Sequence, residues 1–530
     1  MRFDLTSKDF IAVLLILIVF VFVLETTSMI KSNVIFGDEG FHAGLAKWIS
    51  ENKEYPKWNP LGYTNVFKTG YSRPPLFNIL EAGFLFVLGN HEIVLKILSP
   101  IIAALIGISF YILIKNLYNK EIGFIATLIF IGFPSFVTYS LLVFDEILFV
   151  FYMVLFMLTL SMGVKTGNNK YWLLSGIFGG LGMLTKNAGI MVPLFLSLAF
   201  LYLVIKEKDL KLYVKKFLFL LIIIALVFGP FVLRNLELYN TIACYEIPFA
   251  PIDQSGCDLK TFEEVRAFDV RNLSGSTESD ILKVGLVSFV DFAYGNYWFV
   301  LVGLFGGFAL FLTQQNKVNS LFLIMLFLVI FIIYGSYSRA EDVARQILFW
   351  SGILALISAV YWGEIYKLLE KYNKYLGIVI LVAIVFLSYQ NITEKVKTME
   401  NAKRFSPEFF QACDWVKSNL SKDIILMTFW GYRASYSCER IISPGWADIR
   451  LNDDPADIVR VAEMHGITHF FIQKFSITQE PSRESYSVAF VKLLEDNPDK
   501  FEKLYENGPP FDQCLQQGLC NGNIIYKVVY

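Results

Sequence analysis

Two carboxylates, Asp38 and Glu39, stand a few residues beyond the first long apolar run of the chain, at the head of GDEGFHAGLAKWI. A carboxylate at a membrane boundary can hold a hydroxyl and accept its proton, so the pair suggests chemistry on a lipid-carried substrate. A second acidic pair, Asp145-Glu146, opens another apolar run, and four cations, Arg73, Lys186, Arg234 and Arg345, fall at or near the ends of others. Fixed cations in a partly dry site stabilise a developing anion. Each group also has an ordinary use. Asp38 can cap a helix, and acids favour the first turn of a span. Lone cations at helix ends snorkel toward headgroups. Chemistry is favoured because the motifs converge on one membrane face.

The elements that must hold these residues are membrane helices. Of 530 residues, 55% are hydrophobic, 16% aromatic and only 18% charged, which excludes an ordinary soluble globule. A net charge of −1 gives no electrostatic footprint for nucleic acid. Several apolar runs reach the ~20 residues a helix needs to cross hydrocarbon. Residues 10–24 follow Arg2 and Lys8, yet no small-residue cleavage site comes after them, so they read as an uncleaved anchor.

Spans are expected near 9–29, 93–114, 121–141, 147–164, 171–185, 188–205, 217–233, 287–312, 319–334, 345–362 and 375–390. The Lys-rich short loops at 115–120, 165–170, 206–216, 317 and 367–374 fall on one side. The positive-inside rule makes that side, and the N-terminus, cytoplasmic in a multi-pass plasma-membrane protein. About eleven spans then leave the C-terminal segment extracytoplasmic. All six cysteines fall in segments placed outside, as disulfides require. Cys244–Cys257 and Cys514–Cys520 are possible local pairs, and the connectivity stays open.

The fold class is therefore an α-helical polytopic membrane protein with a C-terminal extracytoplasmic α/β domain. Residues 1–390 form the membrane domain, with external loops 30–92 and 234–286; residues 391–530 form the second domain. In the tail, helices at 406–420 and 455–465 precede strand-like segments at 423–430 and 469–474, and IIYKVVY ends the chain as a strand. No metal spacing or nucleophile motif marks the tail, which reads as a structural or recognition cap.

In the first loop, Phe41, Leu45, Trp48 and Ile49 recur at helical spacing, which predicts an interfacial helix with its aromatic side in lipid. His42, Lys47 and Glu51 take its other faces. His42 is ordinary polar surface in that setting, with sugar or acceptor binding as its functional reading. Residues 75–89 are apolar but short and carry Glu81 at their middle, so a second interfacial or re-entrant helix is expected. Tyr294, Tyr297 and Trp298 fit an interfacial aromatic belt. The sequons at Asn272, Asn391 and Asn419 decide nothing.

GDEGFHAGLAKWI followed by SRPPLFNILEAGFLFVLG resembles the first external loop of GT-C superfamily glycosyltransferases. The likeness is strongest to protein O-mannosyltransferases and lipid A aminoarabinose transferases. LVFDEILFVFY, GGLGMLTKNAGIMVPL, GPFVLRNLELYN and ARQILFW resemble further motifs of that superfamily, in its order, over roughly residues 1–390. Arg73 stands where mannosyltransferases often carry His, and Asn187 rather than Gly follows Lys186, which leaves sugar and acceptor open.

The resemblance implies a polyprenyl-phosphate sugar donor, an acceptor that is protein, lipid or glycan, and an inverting displacement. It implies Asp38 as base with Glu39 orienting it or binding acceptor, and Arg73, Lys186, Arg234 and Arg345 on the lipid phosphate. Asp145 and Glu146, with His42, are candidates for sugar or acceptor, or for helping to hold a divalent ion such as Mg or Mn. A lipid-linked sugar flippase would instead call for charges inside the spans or broken, repeated helices. A non-catalytic receptor or scaffold would be expected to have lost Asp38 or the cations.

Overall fold

The computed structural model describes residues 39–62, 67–242, 258–260, 298–313, 343–402, 406–428, 431–443, 449, 454–474, 477–478, 486–510, 513 and 521–530. Asp38, the expected spans at 9–29 and 319–334, and Cys244, Cys257, Cys514 and Cys520 lie outside these, as do Tyr294, Tyr297 and Asn272.

The first loop opens with helix α1 (Glu39–Asn52), then a short strand β1 (Phe67–Thr69) and helix α2 (Leu76–Leu88). The membrane helices follow: α3 (Glu92–Leu117), α4 (Lys120–Ile131), α5 (Pro134–Ser140), α6 (Asp145–Thr166), α7 (Asn169–Met183), α8 (Met191–Glu207) and α9 (Leu210–Tyr239). Strand β2 (Asp258–Lys260) pairs antiparallel with β1. Helices α10 (Trp298–Thr313), α11 (Val343–Tyr372) and α12 (Lys374–Ala402) complete this part.

Among the described residues, five helices are long and apolar enough to cross a membrane. The expected span at 121–141 is two helices, α4 and α5, bent by 67°. Pro134, which lacks an N–H and follows Gly132-Phe133, starts the second piece and accounts for the break. On α9 the exposed residues Leu218, Ile222 and Leu226 recur every fourth position, a stripe suited to lipid. The Gly-rich stretch of α7 has a packing reason. A Cβ at Gly176 would stand 2.7 Å from the Ile223 side chain, and one at Gly180 2.6 Å from Val227, so glycine lets α7 lie close against α9. That contact fixes where the chain leaves α7, and so where Lys186 stands.

The first loop corrects one expectation. The apolar side of α1 does not face lipid. Phe41, Leu45 and Ile49 are buried in protein with Leu61, Tyr71 and Ala82. The loop residues Leu61 and Tyr71, with Ala82 of α2, cover that face, and protein takes the place of hydrocarbon. Helix α2 is too short to span: Phe86, Val87 and Leu88 at its end are exposed while Phe77, Asn78, Glu81, Ala82 and Leu85 are buried.

The tail consists of α13 (Pro407–Asn419), β3 (Ile425–Met427), α14 (Gly431–Cys438), β4 (Ile441–Ser443), α15 (Pro455–His465), β5 (His469–Gln473), β6 (Ile477–Thr478), β7 (Tyr486–Ser487), α16 (Val488–Asp496), β8 (Phe501–Asn507) and β9 (Asn523–Val528). Its main sheet has the order β4-β3-β5-β9-β8, parallel across β4, β3 and β5 and antiparallel at β9 and β8. Side chains alternate across it. Met427, Phe470, Ile472, Ile524 and Tyr526 enter one core, whereas Leu426, Phe471 and Ile525 enter another with Phe409 and Val416 of α13. A sheet buried on both faces needs such continuous apolar strands. Cys413 and Cys438 form a disulfide that ties α13 to the end of α14.

The tail rests on the first loop. Lys47 of α1 pairs with Glu439 at 2.9 Å, the Ile442 amide donates to the Leu61 carbonyl at 3.2 Å, and Tyr436 packs against the membrane core.

Candidate active site

Four separate segments carry the charged motifs, and the fold brings them together. Glu39 occupies the first turn of α1 and is 2% exposed. Its Oε1 accepts a hydrogen bond from the Val143 amide at 2.9 Å. Val143 lies two residues before Asp145, so the two acidic motifs, distant in sequence, share a backbone contact. A charge-assisted bond of this kind is stronger than a neutral one.

Asp145 and Glu146 form the first turn of α6, where the helix dipole favours negative charge. Lys186, delivered by the turn after α7, donates to Asp145 Oδ1 at 3.1 Å and to Glu146 Oε1. Glu146 is 1% exposed, and Lys186 and Asp145 are each 20% exposed. The same turn holds α2: the Leu76 amide donates to the Leu184 carbonyl at 2.9 Å. Arg73, just before α2, is exposed, and its guanidinium stands 4.7 Å above the Phe41 ring of α1. Its carbonyl accepts from the Tyr55 hydroxyl at 2.6 Å. A stacked, solvent-reachable guanidinium keeps its donor edge open to a planar two-point anion contact.

His42 departs from the surface role expected of it. It is buried between Phe41, Phe77 and Phe144, with Nδ1 3.0 Å from Asn78 Oδ1. Asn78 in turn donates to the Tyr71 hydroxyl at 3.4 Å, so Asn78 Oδ1 is the acceptor and His42 Nδ1 carries the proton. Burial lowers the imidazole below its ordinary value, against the raising effect of the Asp145 carboxylate. His42 is a neutral ring whose Nε2 is left as an acceptor.

Arg234 stands apart from this group. Arg234 donates to the carbonyls of Tyr71 (3.3 Å) and Pro56 (2.6 Å) and to Asn235 Oδ1 (3.1 Å), with the Tyr55 ring 5.0 Å away. It braces the loop that carries Tyr71 and Arg73. Arg345 is in the first turn of α11, and its side chain lies outside the described residues. Among the described residues, no group of three or more His, Cys, Asp or Glu side chains converges to hold a metal ion. Asp145 and Glu146 have Lys186 between them instead.

Sequence reasoning missed Glu81 as part of this site. It is fully buried on α2, one turn from Asn78, and neither carboxyl oxygen has a hydrogen-bond partner among the described residues. Burial raises its carboxyl well above the ordinary range, and the charges of Glu39 and Asp145 raise it further. Burial thus favours the protonated form of Glu81. The folded chain keeps this proton while the unfolded chain releases it, so stability falls as pH rises from the ordinary carboxylate range toward the folded value. Glu81→Gln, which mimics the neutral acid, is expected to raise the thermal midpoint at pH 8 by about 2–4 °C. The gain at pH 5 should be smaller. Unfolding of the detergent-solubilised variant at the two pH values checks this, and an equal or larger gain at pH 5 would mean that Glu81 is ionised.

With this geometry in view, the relatives of the chain become informative. Residues 72–233, which carry Arg73, Asp145, Glu146 and Lys186, match the family described as Dolichyl-phosphate-mannose-protein mannosyltransferase. Solved structures share the fold. One is the archaeal oligosaccharyltransferase AglB from Archaeoglobus fulgidus, in complex with an inhibitory peptide and a dolichol-phosphate. It is 13% identical with a TM-score of 0.63, over 88% of this chain and 70% of that one. A second is ArnT from Cupriavidus metallidurans bound to undecaprenyl phosphate, 12% identical with a TM-score of 0.59, over 99% of each chain. A third is the arabinofuranosyltransferase AftD from Mycobacteria, 11% identical with a TM-score of 0.56, over 97% of this chain and 40% of that one. No curated protein matches the sequence. The chain shares the fold of these three proteins, and the expected resemblance and fold class both hold. With five helices among the described residues long and apolar enough to cross a membrane, the chain is a multi-pass membrane protein.

Proposed function

We propose that this protein is a glycosyltransferase that moves a sugar from a polyprenyl-phosphate donor to an acceptor hydroxyl or amide at the external membrane face. The observation that carries the reading is the convergence of Glu39, Arg73, the Asp145-Glu146 pair and Lys186 from four segments into one site. An ion cluster serving only to hold helices would not need an exposed, ring-stacked Arg beside it.

In this mechanism the acceptor attacks the anomeric carbon from the face opposite the phosphate. The bond from acceptor oxygen or nitrogen to that carbon forms as the carbon–oxygen bond to phosphate breaks. The electron pair leaves with the phosphate oxygen, and the acceptor proton passes to Asp38, the residue before Glu39. Arg73 meets the phosphate from the exposed side, with Lys186 as the second cation. Glu39 holds the start of α1 in register with Val143, and Asp145 and Glu146 face the sugar hydroxyls. His42 supports the acceptor through its neutral Nε2. Arg234 contributes indirectly, by fixing the loop that carries Arg73.

The tail, from about residue 391, is the cap over this site, and its Cys413–Cys438 disulfide fits an oxidising, extracytoplasmic location with the N-terminus inside. No step is assigned to a divalent ion; Lys186 is the cation that Asp145 Oδ1 and Glu146 Oε1 share.

The test follows release of free polyprenyl phosphate from a panel of polyprenyl-phosphate sugars, with the purified chain and a membrane extract as acceptor source. Release dependent on both donor and extract is expected. Release from no donor, by protein that binds polyprenyl phosphate, would overturn the proposal.

A further inference from the structure

One buried charge of the tail has no place in the mechanism above. Arg433, on α14, is 1% exposed. Its guanidinium lies 4.7 Å from the Phe409 ring and 5.7 Å from that of Phe410, both on α13. Helix α14 packs across α1, the helix that opens with Glu39. A guanidinium does not give up its charge, so one buried in an apolar setting requires nearby anions. Burial pulls its pKa down, and the charges that oppose this are those of Glu39 and Glu92. Glu92, at the start of α3, also pairs with the buried Lys96 at 3.1 Å. Tyr436, one turn further along the same face of α14, packs against the membrane core beside Glu92.

We propose that Arg433 is a positioning residue for the acidic motif of the active site: a tail cation, clamped by Phe409 and Phe410, whose charge holds the Glu39 carboxylate against the Val143 amide. The proposal rests on the transferase reading for its functional consequence, but its structural claim stands by itself. It makes the tail part of the catalytic frame. The Glu39–Val143 bond then leads on to Asp145, Glu146 and Lys186. Lys47–Glu439 belongs to the same interface but is partly exposed, with side chains 21% and 42% accessible, and such pairs contribute little.

The experiment is hydrogen–deuterium exchange on the full chain in detergent, comparing native protein with Arg433→Met and Arg433→Lys. With Arg433→Met, exchange at the Val143 amide should quicken at least tenfold, while β3 and β5 keep their native protection. Arg433→Lys should restore most of the protection. Where the chain also turns over a polyprenyl-phosphate sugar, Arg433→Met should lower kcat about tenfold with donor KM unchanged. Glu439→Gln serves as control and should change neither readout. Unchanged Val143 exchange in Arg433→Met overturns the proposal. So does loss of protection throughout the tail sheet with either substitution, because Arg433 would then only hold the tail's own core. Failure to detect transfer with Val143 exchange altered would instead count against the transferase reading alone.

Discussion

Replacing Asp38 with Asn is expected to lower release of polyprenyl phosphate by about 10²–10⁴-fold, the usual contribution of a positioned base. The substitution is chosen because it separates the two uses of that residue. Asn is as good a helix N-cap as Asp, so a residue that only starts α1 should tolerate the change with native stability and native turnover. A base cannot, because the amide does not accept a proton at neutral pH. Binding of polyprenyl phosphate should be unchanged, since the proposed phosphate contacts are Arg73 and Lys186 rather than the acid. The useful comparison is Glu39→Gln. The Gln carbonyl can still accept from Val143 N–H, so this variant should keep the register between α1 and the turn before α6 and lose far less activity. Equal losses in the two variants would move the base assignment off Asp38. Single-turnover release, with a thermal midpoint for each variant, reads both effects.

Much of the architecture was legible because long apolar runs and alternating strands leave strong periodic signals. The helix at 406–420, the strand around 425, the helix at 455–465 and the final strand appear where the pattern placed them. Helix α14 and strand β8 were not read. GYRASYSC carries no apolar period strong enough to announce a helix, and FEKLYEN is a strand exposed along much of its length. The 67° break between α4 and α5 was also missed, since Gly132, Phe133 and Pro134 sit inside a run of uniform hydropathy. The disulfide that forms, Cys413–Cys438, joins residues that the two local pairings did not consider. Cysteine spacing has no knowledge of which helices pack together.

Site residues divided by a different rule. Charged side chains at the mouths of apolar runs were visible at once, because charge beside hydrocarbon is costly and calls for a reason. What sequence could not provide was their pairing. Lys186 and the Asp145-Glu146 pair were assigned different ligands, yet in the fold they hold each other. Arg234 had the same signature as Arg73, a cation near a helix end, and only its three bonds, to the loop carbonyls of Pro56 and Tyr71 and to Asn235 Oδ1, distinguish it as a brace. Glu81 and Asn78 did leave a trace: two polar residues three apart in an apolar helix share a face, and that face must meet something polar. Arg433 left none, because its meaning depends on the tail docking against α1.

Lys186→Ala is expected to cut turnover to about 1% or less of native and to destabilise the fold by about 3 kcal/mol, the cost of removing one partner from a buried ion group. Glu146 is 1% exposed, so losing the ammonium leaves its carboxylate with no nearby solvent to replace it. The loss also spreads, because the turn around Lys186 carries the Leu184 carbonyl that receives the Leu76 amide and so anchors α2 and Arg73. The two contributions can be separated by adding Glu146→Gln to Lys186→Ala. The double variant restores the native local charge and should recover most of the thermal midpoint. If Lys186 also meets the donor phosphate, turnover stays low in that stable protein, and binding of polyprenyl phosphate weakens about tenfold, as for one lost charge-assisted bond of 1.4 kcal/mol or more. If turnover returns together with stability, Lys186 is only the counter-ion of the acidic pair. The phosphate would then rest on Arg73, whose place above the Phe41 ring leaves its donors free for that purpose.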